Sequence, residues 1–149
     1  MDSLTMAGHL IRRLHQISTQ VFMRRTQDAG YDLTPVQFAA MDAIRAQPGV
    51  DQAGVAAAIA YDRATIGGVI DRLVQKGWVQ RRVSTRDRRA RELALTDAGA
   101  RLMAEVVPLV RSLQDDILDR LDATERAAFL TLADKAVGGD QAQGSGWRS

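Results

Sequence analysis

The sequence predicts a mainly α-helical protein carrying one small β-hairpin. Three observations point there. Apolar residues recur at helical spacing over most of the chain, with capping residues in the gaps. Period-two alternation is confined to residues 78–83 and 91–95, where Val79 pairs with Val83 and Leu93 with Leu95. Between Asp71 and Arg91 stand eight cations (Arg72, Lys76, Arg81, Arg82, Arg86, Arg88, Arg89 and Arg91) against two acids, Asp71 and Asp87. That segment nets +6 in a chain of +2, so the remainder nets −4. A helix followed by a basic hairpin is the outline of a winged helix-turn-helix. A field of that sign attracts a polyanion, most simply double-stranded DNA.

The elements follow in order. Residues 4–26 form a first helix in which Leu10, Leu14, Ile17 and Val21 alternate steps of four and three, the spacing of a coiled-coil seam. Gly30 ends it. A second helix starts at Leu33-Thr34-Pro35-Val36-Gln37-Phe38: Thr34 caps, Pro35 suits the first helical position, Gln37 closes a capping box and Leu33 can staple onto Phe38. It runs to about Arg45, before Pro48-Gly49. Asp51 caps a short third helix with Val55 and Ile59 on its apolar side. After a tight turn at Tyr61, Asp62 caps a fourth, which buries Ile66, Val69, Ile70 and Leu73 and stops at Gly77. The two strands flank a loop over residues 84–90. Thr96 opens a long helix through Leu102, Val106, Leu109, Leu113, Ile117 and Leu121, with Pro108 inside it as an expected kink. Asp122 and Glu125 cap a last helix to about Val137. The expected organisation is a dimerisation helix (1–30), a DNA-binding region (31–96), C-terminal dimerisation helices (97–137) and a disordered tail (138–149). The terminal helices carry long apolar seams with little partner surface in one chain. A second copy is the simplest remedy, and a twofold homodimer would set two reading helices side by side.

Composition excludes much else. The 149 residues, 46% apolar and 26% charged, suit one soluble domain, or one with extensions. No run of about 18 apolar residues is present to span a membrane. Arg12, Arg13 and His15 interrupt any signal-peptide block, so a cytoplasmic location is expected. Cysteine is absent, which removes disulfides, thiolate catalysis and thiol redox sensing. There is no glycine-rich phosphate loop, HExxH or GxSxG, so an enzyme is not expected. His9 and His15 stand six apart rather than the four of a helical metal pair, and neither metal nor cofactor is expected. Of the 20 cations 18 are Arg, which fits phosphate and base recognition by the guanidinium fork, and equally a GC-rich genome.

Candidate DNA contacts fall in two places. Arg63, Ala64 and Thr65 form the first turn of the reading helix, whose free N–H groups favour phosphate. Further along, Gly67 and Gly68 permit close backbone approach to DNA or reflect packing or drift. Arg72 either reaches phosphate or pairs with Asp71. In the wing Arg86, Arg88 and Arg89 outnumber Asp87, and an Arg there suits a narrow minor groove.

Leu33 to Ile44 (LTPVQFAAMDAI), Ala64 to Arg82 (ATIGGVIDRLVQKGWVQRR) and Asp87 to Gly99 (DRRARELALTDAG) resemble the MarR family of bacterial transcriptional regulators. The likeness covers roughly residues 10–137, and its wing pattern of Asp87, Arg89 and Leu95-Thr96 is specific. Gly67 and Gly68 depart from it, since the family often carries larger polar side chains there. The resemblance implies a homodimer that binds a short palindrome, represses nearby genes, and is often released by a small, frequently aromatic ligand. It further implies that Arg89 enters the minor groove while Asp87 holds its guanidinium. It puts the ligand site between the dimer-forming helices and the DNA-binding lobe. There His9, Arg12 and His15 step by three along the first helix, and with Phe38 and Met41 would suit a small aromatic carboxylate. Tyr31 and Trp78 are further candidates. The alternative for the polar members is a solvent-facing or dimer-bridging role. The alternative for the whole is a ligand-independent or architectural DNA-binding protein.

Overall fold

The computed structural model describes residues 2–89 and 91–139. Along them run a short 3-10 turn (Asp2–Thr5), α1 (Ala7–Asp28), α2 (Pro35–Ala46), α3 (Gln52–Ala58), α4 (Arg63–Gln75), β1 (Val79–Val83), β2 (Arg91–Leu95), α5 (Asp97–Ile117) and α6 (Ala123–Ala136). One compact unit ends at Leu113 and a second begins at Gln114. No helix among the described residues is long and apolar enough to cross a membrane.

Local chemistry sets most boundaries. Thr34 and Gln37 form the expected capping box of α2, with Pro35 at its start. Asp51 accepts from the Gly54 N–H at 2.7 Å and Asp62 from the Thr65 N–H at 2.8 Å, capping α3 and α4. Gly77, at φ 78°, takes the left-handed position that ends α4, where a side chain would be strained. The Gly77 and Trp78 N–H groups then return to Val74 and Leu73. Thr96 starts α5 through the Gly99 N–H at 3.0 Å. A Cβ on Gly99 would lie 2.1 Å from the Trp78 carbonyl oxygen, so glycine lets α5 leave directly against β1.

Three expectations shift. The first helix begins at Ala7, because Met6 offers no side-chain cap and residues 2–5 tighten into the 3-10 turn. The long helix ends at Ile117 rather than passing Leu121, whose N–H instead reaches Leu118 in the turn before α6. Val79 and Val83, read together from their spacing, part company: Val79 is buried and Val83 lies at the strand's exposed tip.

The first unit's core joins Leu33, Met41 and Ile44 to Val55, Ile66, Ile70, Leu73, Val79 and Leu93, all at most 2% exposed. Phe22 of α1 meets Phe38 of α2 with ring centroids 6.0 Å apart. β1 and β2 pair antiparallel from Val79–Leu95 to Val83–Arg91. The other edge of β2 exchanges hydrogen bonds with the loop before α3: Gly49 N–H to Leu93 at 3.0 Å, and Leu93 N–H to Val50 at 2.9 Å. The hairpin is thereby stitched to the helices it extends from. In the second unit Asp122 and Glu125 build the capping box of α6, and Arg126 donates to the Leu121 carbonyl at 2.9 Å. The tail expected to be disordered lies, beyond residue 139, outside the described residues.

Candidate nucleic-acid interface

The first turn of α4 is open. Arg63, Ala64 and Thr65 are all exposed. Asp62 accepts from the Thr65 N–H and, at 2.7 Å, from its hydroxyl. Those two donors hold the Asp62 carboxyl below the usual aspartate range, the backbone N–H contributing most. The Thr65 proton is thus committed inside the protein, leaving its oxygen lone pairs for any further contact. Arg63 has no hydrogen-bond or ion-pair partner among the described residues, and its guanidinium is free to meet an anion.

Behind it, Gly68 is exposed and Gly67 half-buried. A Cβ built on Gly68 meets nothing within 4 Å, and one on Gly67 meets only the Gln52 amide nitrogen at 3.6 Å, an ordinary contact. Packing within the chain therefore does not require glycine at either position. Arg72 is exposed and donates to the Gln75 side chain at 3.4 Å. It does not pair with Asp71, whose carboxylate instead binds Arg81 on β1. Arg81 also donates to Gln52 of α3 at 3.2 Å, so this cation lashes the wing to α4 and α3.

The wing loop is organised from within. Buried Ser84 accepts from the Arg86 N–H at 3.1 Å and the Asp87 N–H at 3.3 Å. Asp87 in turn accepts from the Arg89 N–H at 3.0 Å. The resemblance suggested that Asp87 holds the Arg89 guanidinium; here it holds the Arg89 backbone, in the side-chain turn that aspartate favours. Arg86, Arg88 and Arg89 stay exposed, with no acidic partner among the described residues. The eight cations of the basic segment thus divide. Lys76 and Arg81 are tied inward by ion pairs, Arg72 donates to Gln75, and Arg82, Arg86, Arg88, Arg89 and Arg91 remain exposed without an ion pair among the described residues. Ser84, Arg81 and Lys76 were missed as organisers by sequence reasoning. Ser84 alone carried a local signal, as a turn-forming hydroxyl two residues before Arg86.

The candidate ligand residues are less gathered. On α1 His9 is half-buried, and Arg12 and His15 are exposed. Phe38 is half-buried against Phe22, whereas Met41 is wholly buried in the core and offers no free surface. No hydrogen bond, ion pair or ring contact joins the α1 trio to Phe38 or Met41 among the described residues. Tyr31 donates to Glu105 of α5 at 2.9 Å, and this bond raises its phenol pKa. Trp78 carries the Lys76 ammonium 4.8 Å from its ring centroid. A cleft of about 330 Å³ lies elsewhere, at the wing's base between Gln47, Asp51, Ser84 and Glu92.

This geometry has known counterparts. Residues 31–90 match the model of the MarR family. The repressor NicR of Pseudomonas putida is 34% identical over 143 residues, spanning 96% of this chain and 89% of its own. BpsR of Bordetella bronchiseptica, whose DNA binding is regulated by 6-hydroxynicotinic acid, superposes with a TM-score of 0.83 at 31% identity over 90% of this chain and 94% of its own. A variant of MarR from E. coli, complexed with operator DNA, reaches 0.79 at 27% identity over 87% and 91%. A helix with an open N-terminal turn, a wing stitched to its base and likeness along nearly the whole length agree: the chain belongs to the MarR family of transcriptional regulators.

Proposed function

We propose that this regulator is a homodimeric repressor that grips a palindromic operator and lets go when a small aromatic acid binds. The observation that carries the DNA half is the arrangement of guanidinium groups with no ion-pair partner among the described residues: Arg63 on the first turn of α4, and Arg86, Arg88 and Arg89 on a wing lashed to that helix by Arg81 and Asp71. A helix end with free N–H groups beside a basic hairpin suits a major groove flanked by a minor groove. Arg63, with the Thr65 oxygen beside it, reads base edges; Ala64, Gly67 and Gly68 let the helix lie close; Arg72 and Arg86 meet phosphate; Arg88 and Arg89 serve the adjacent groove. Asp87 shapes the loop.

The effector half rests on the likeness to BpsR, whose regulator, 6-hydroxynicotinic acid, is an aromatic carboxylate. Arg12, His9 and His15 would supply its cationic partners and Phe38 an apolar wall. Met41, already buried, would line the site only after a rearrangement. That burial favours a second reading, in which DNA binding is independent of any ligand. One titration separates them. Operator complex is challenged with 6-hydroxynicotinate and with benzoate-like acids, for the wild type and for Arg12→Ala and His15→Ala. Release of the wild type, blunted in the variants, supports the switch and its site. Release equal in all three moves the site elsewhere, and no release by any acid supports the ligand-independent reading.

A further inference from the structure

Lys76, the residue that closes α4, belongs by charge to the basic field but by geometry to the interior. Its Nζ donates to the Asp32 carbonyl at 2.7 Å and to the Gln37 side-chain oxygen at 3.3 Å, and stands 3.3 Å from the Asp32 carboxylate. The Trp78 ring covers it at 4.8 Å. The Lys76 side chain is 15% exposed while that of Asp32 is 90% exposed. Two of the three ammonium donors are spent on these hydrogen bonds and its charge is paired with the Asp32 carboxylate, which turns the group away from a phosphate. The Gln37 oxygen also accepts from the Thr34 N–H in the capping box of α2. One ammonium therefore pins the end of the reading helix to the start of α2 and to the junction that leads back to α1. On the other side of that junction Tyr31 donates to Glu105 of α5. Adjacent residues Tyr31 and Asp32 are thus held by two different helices.

We infer that Lys76 is a positioning residue for operator binding, acting through this two-sided strap. It sets the angle of α4 against the α1–α2 junction that Tyr31 ties to α5, and so the separation of the two reading helices in the dimer. The inference rests on the dimeric operator-binding reading proposed above. Half-sites lie about one helical turn apart, 34–36 Å, so a small change of angle at each strap alters which spacing fits.

The test measures affinity against salt for the wild type, Lys76→Met, the milder Lys76→Gln, Tyr31→Phe and Arg86→Ala. Each is assayed on the natural operator and on operators lengthened or shortened between half-sites by single base pairs. Sedimentation and thermal melting count the folded dimer in each sample. A cation on phosphate contributes about 0.9 to the logarithmic salt slope, so Arg86→Ala, which removes a phosphate contact of the proposed complex, should flatten that slope by about one. Lys76→Met should keep the wild-type slope, lose about tenfold on the natural operator, as fits one charge-assisted hydrogen bond, and prefer its spacing less sharply. Lys76→Gln, which retains a donor for the Asp32 carbonyl, should fall between. Tyr31→Phe should broaden the spacing preference in the same sense and serves if the Lys76 variants do not fold. A slope lowered by one in Lys76→Met or Lys76→Gln would make Lys76 a phosphate contact and overturn the inference. So would an unchanged spacing profile with only a lower melting temperature, which marks a merely structural role. A wild type that binds no operator defeats the underlying reading first, and is seen in the wild-type sample alone.

Discussion

Gly67 and Gly68 cost the reading helix stability that the fold itself does not demand. Glycine inside a helix is worse than alanine by about 1 kcal/mol, and neither position lacks room for a methyl group. The separate Ala variants should therefore melt higher while binding operator more weakly, because a methyl holds the helix off the groove. Calorimetry beside an affinity measurement checks both signs, and unchanged affinity in both variants would remove the glycines from the DNA surface. Asp62 poses a different question at the same end. Its carboxyl is held low in the folded chain by the Thr65 N–H and then by the Thr65 hydroxyl. A lowered folded pKa contributes stability that is complete above the unfolded aspartate value, about 3.9, and is lost as pH falls through the folded one. Asp62→Asn keeps a capping oxygen without the charge. Its melting temperature should trail the wild type by a constant margin above about pH 5 and converge with it in acid. A margin that does not narrow as the pH is lowered would show that the ionised cap is not the source.

Among the elements, the wing shows best how a negative side chain can favour binding to a polyanion. Asp87 repels phosphate at long range, yet it holds the Arg89 N–H, and buried Ser84 holds the two N–H groups before it. Removing Asp87 frees the loop that presents three arginines, so ordering falls due on binding instead. Asp87→Ala should weaken operator affinity by several-fold despite the more favourable net charge, with the loss of one side-chain turn as cause. Tighter binding would make the acid a bystander. The elements that sequence made legible are those governed within four residues. The Thr34–Gln37 and Asp122–Glu125 boxes, the Asp51 and Asp62 caps and the Gly77 stop all appear where local rules place them. What escaped is set by distant partners. The Arg81 and Lys76 side chains look like any other cation in a list of eight, and only the approach of Asp71, Asp32 and Gln37 in space turns them inward. Met41 and Phe38 are three apart on α2, and helix phase alone could not say that one is core and the other half-open.

At the scale of the whole molecule, two helices carry apolar surface that the described residues leave uncovered. On α1 Leu10 is 49% and Ile11 64% exposed; on α6, which buries no residue, Leu130 is 59% and Leu132 64% exposed. Large apolar side chains exposed along two terminal helices suit a partner, and in the proposed homodimer a second copy would supply the same faces by symmetry. Leu113, which the seam spacing also offers to a partner, is wholly buried in its own chain, so its replacement would damage the protomer rather than the dimer. Leu10→Asp and Leu130→Asp are the cleaner probes. Each charge is solvated in a monomer and would be desolvated in the interface, at a cost of several kcal/mol. Both variants should keep their helical signal yet sediment as monomers at micromolar concentration. They should also lose most of their operator affinity, since one reading head binds without the help of the other. If both stay dimeric with wild-type affinity, the two copies meet through other surfaces. If the wild type itself sediments as a folded monomer and still binds a single half-site, the twofold arrangement is wrong, and the exposed leucines await a different partner.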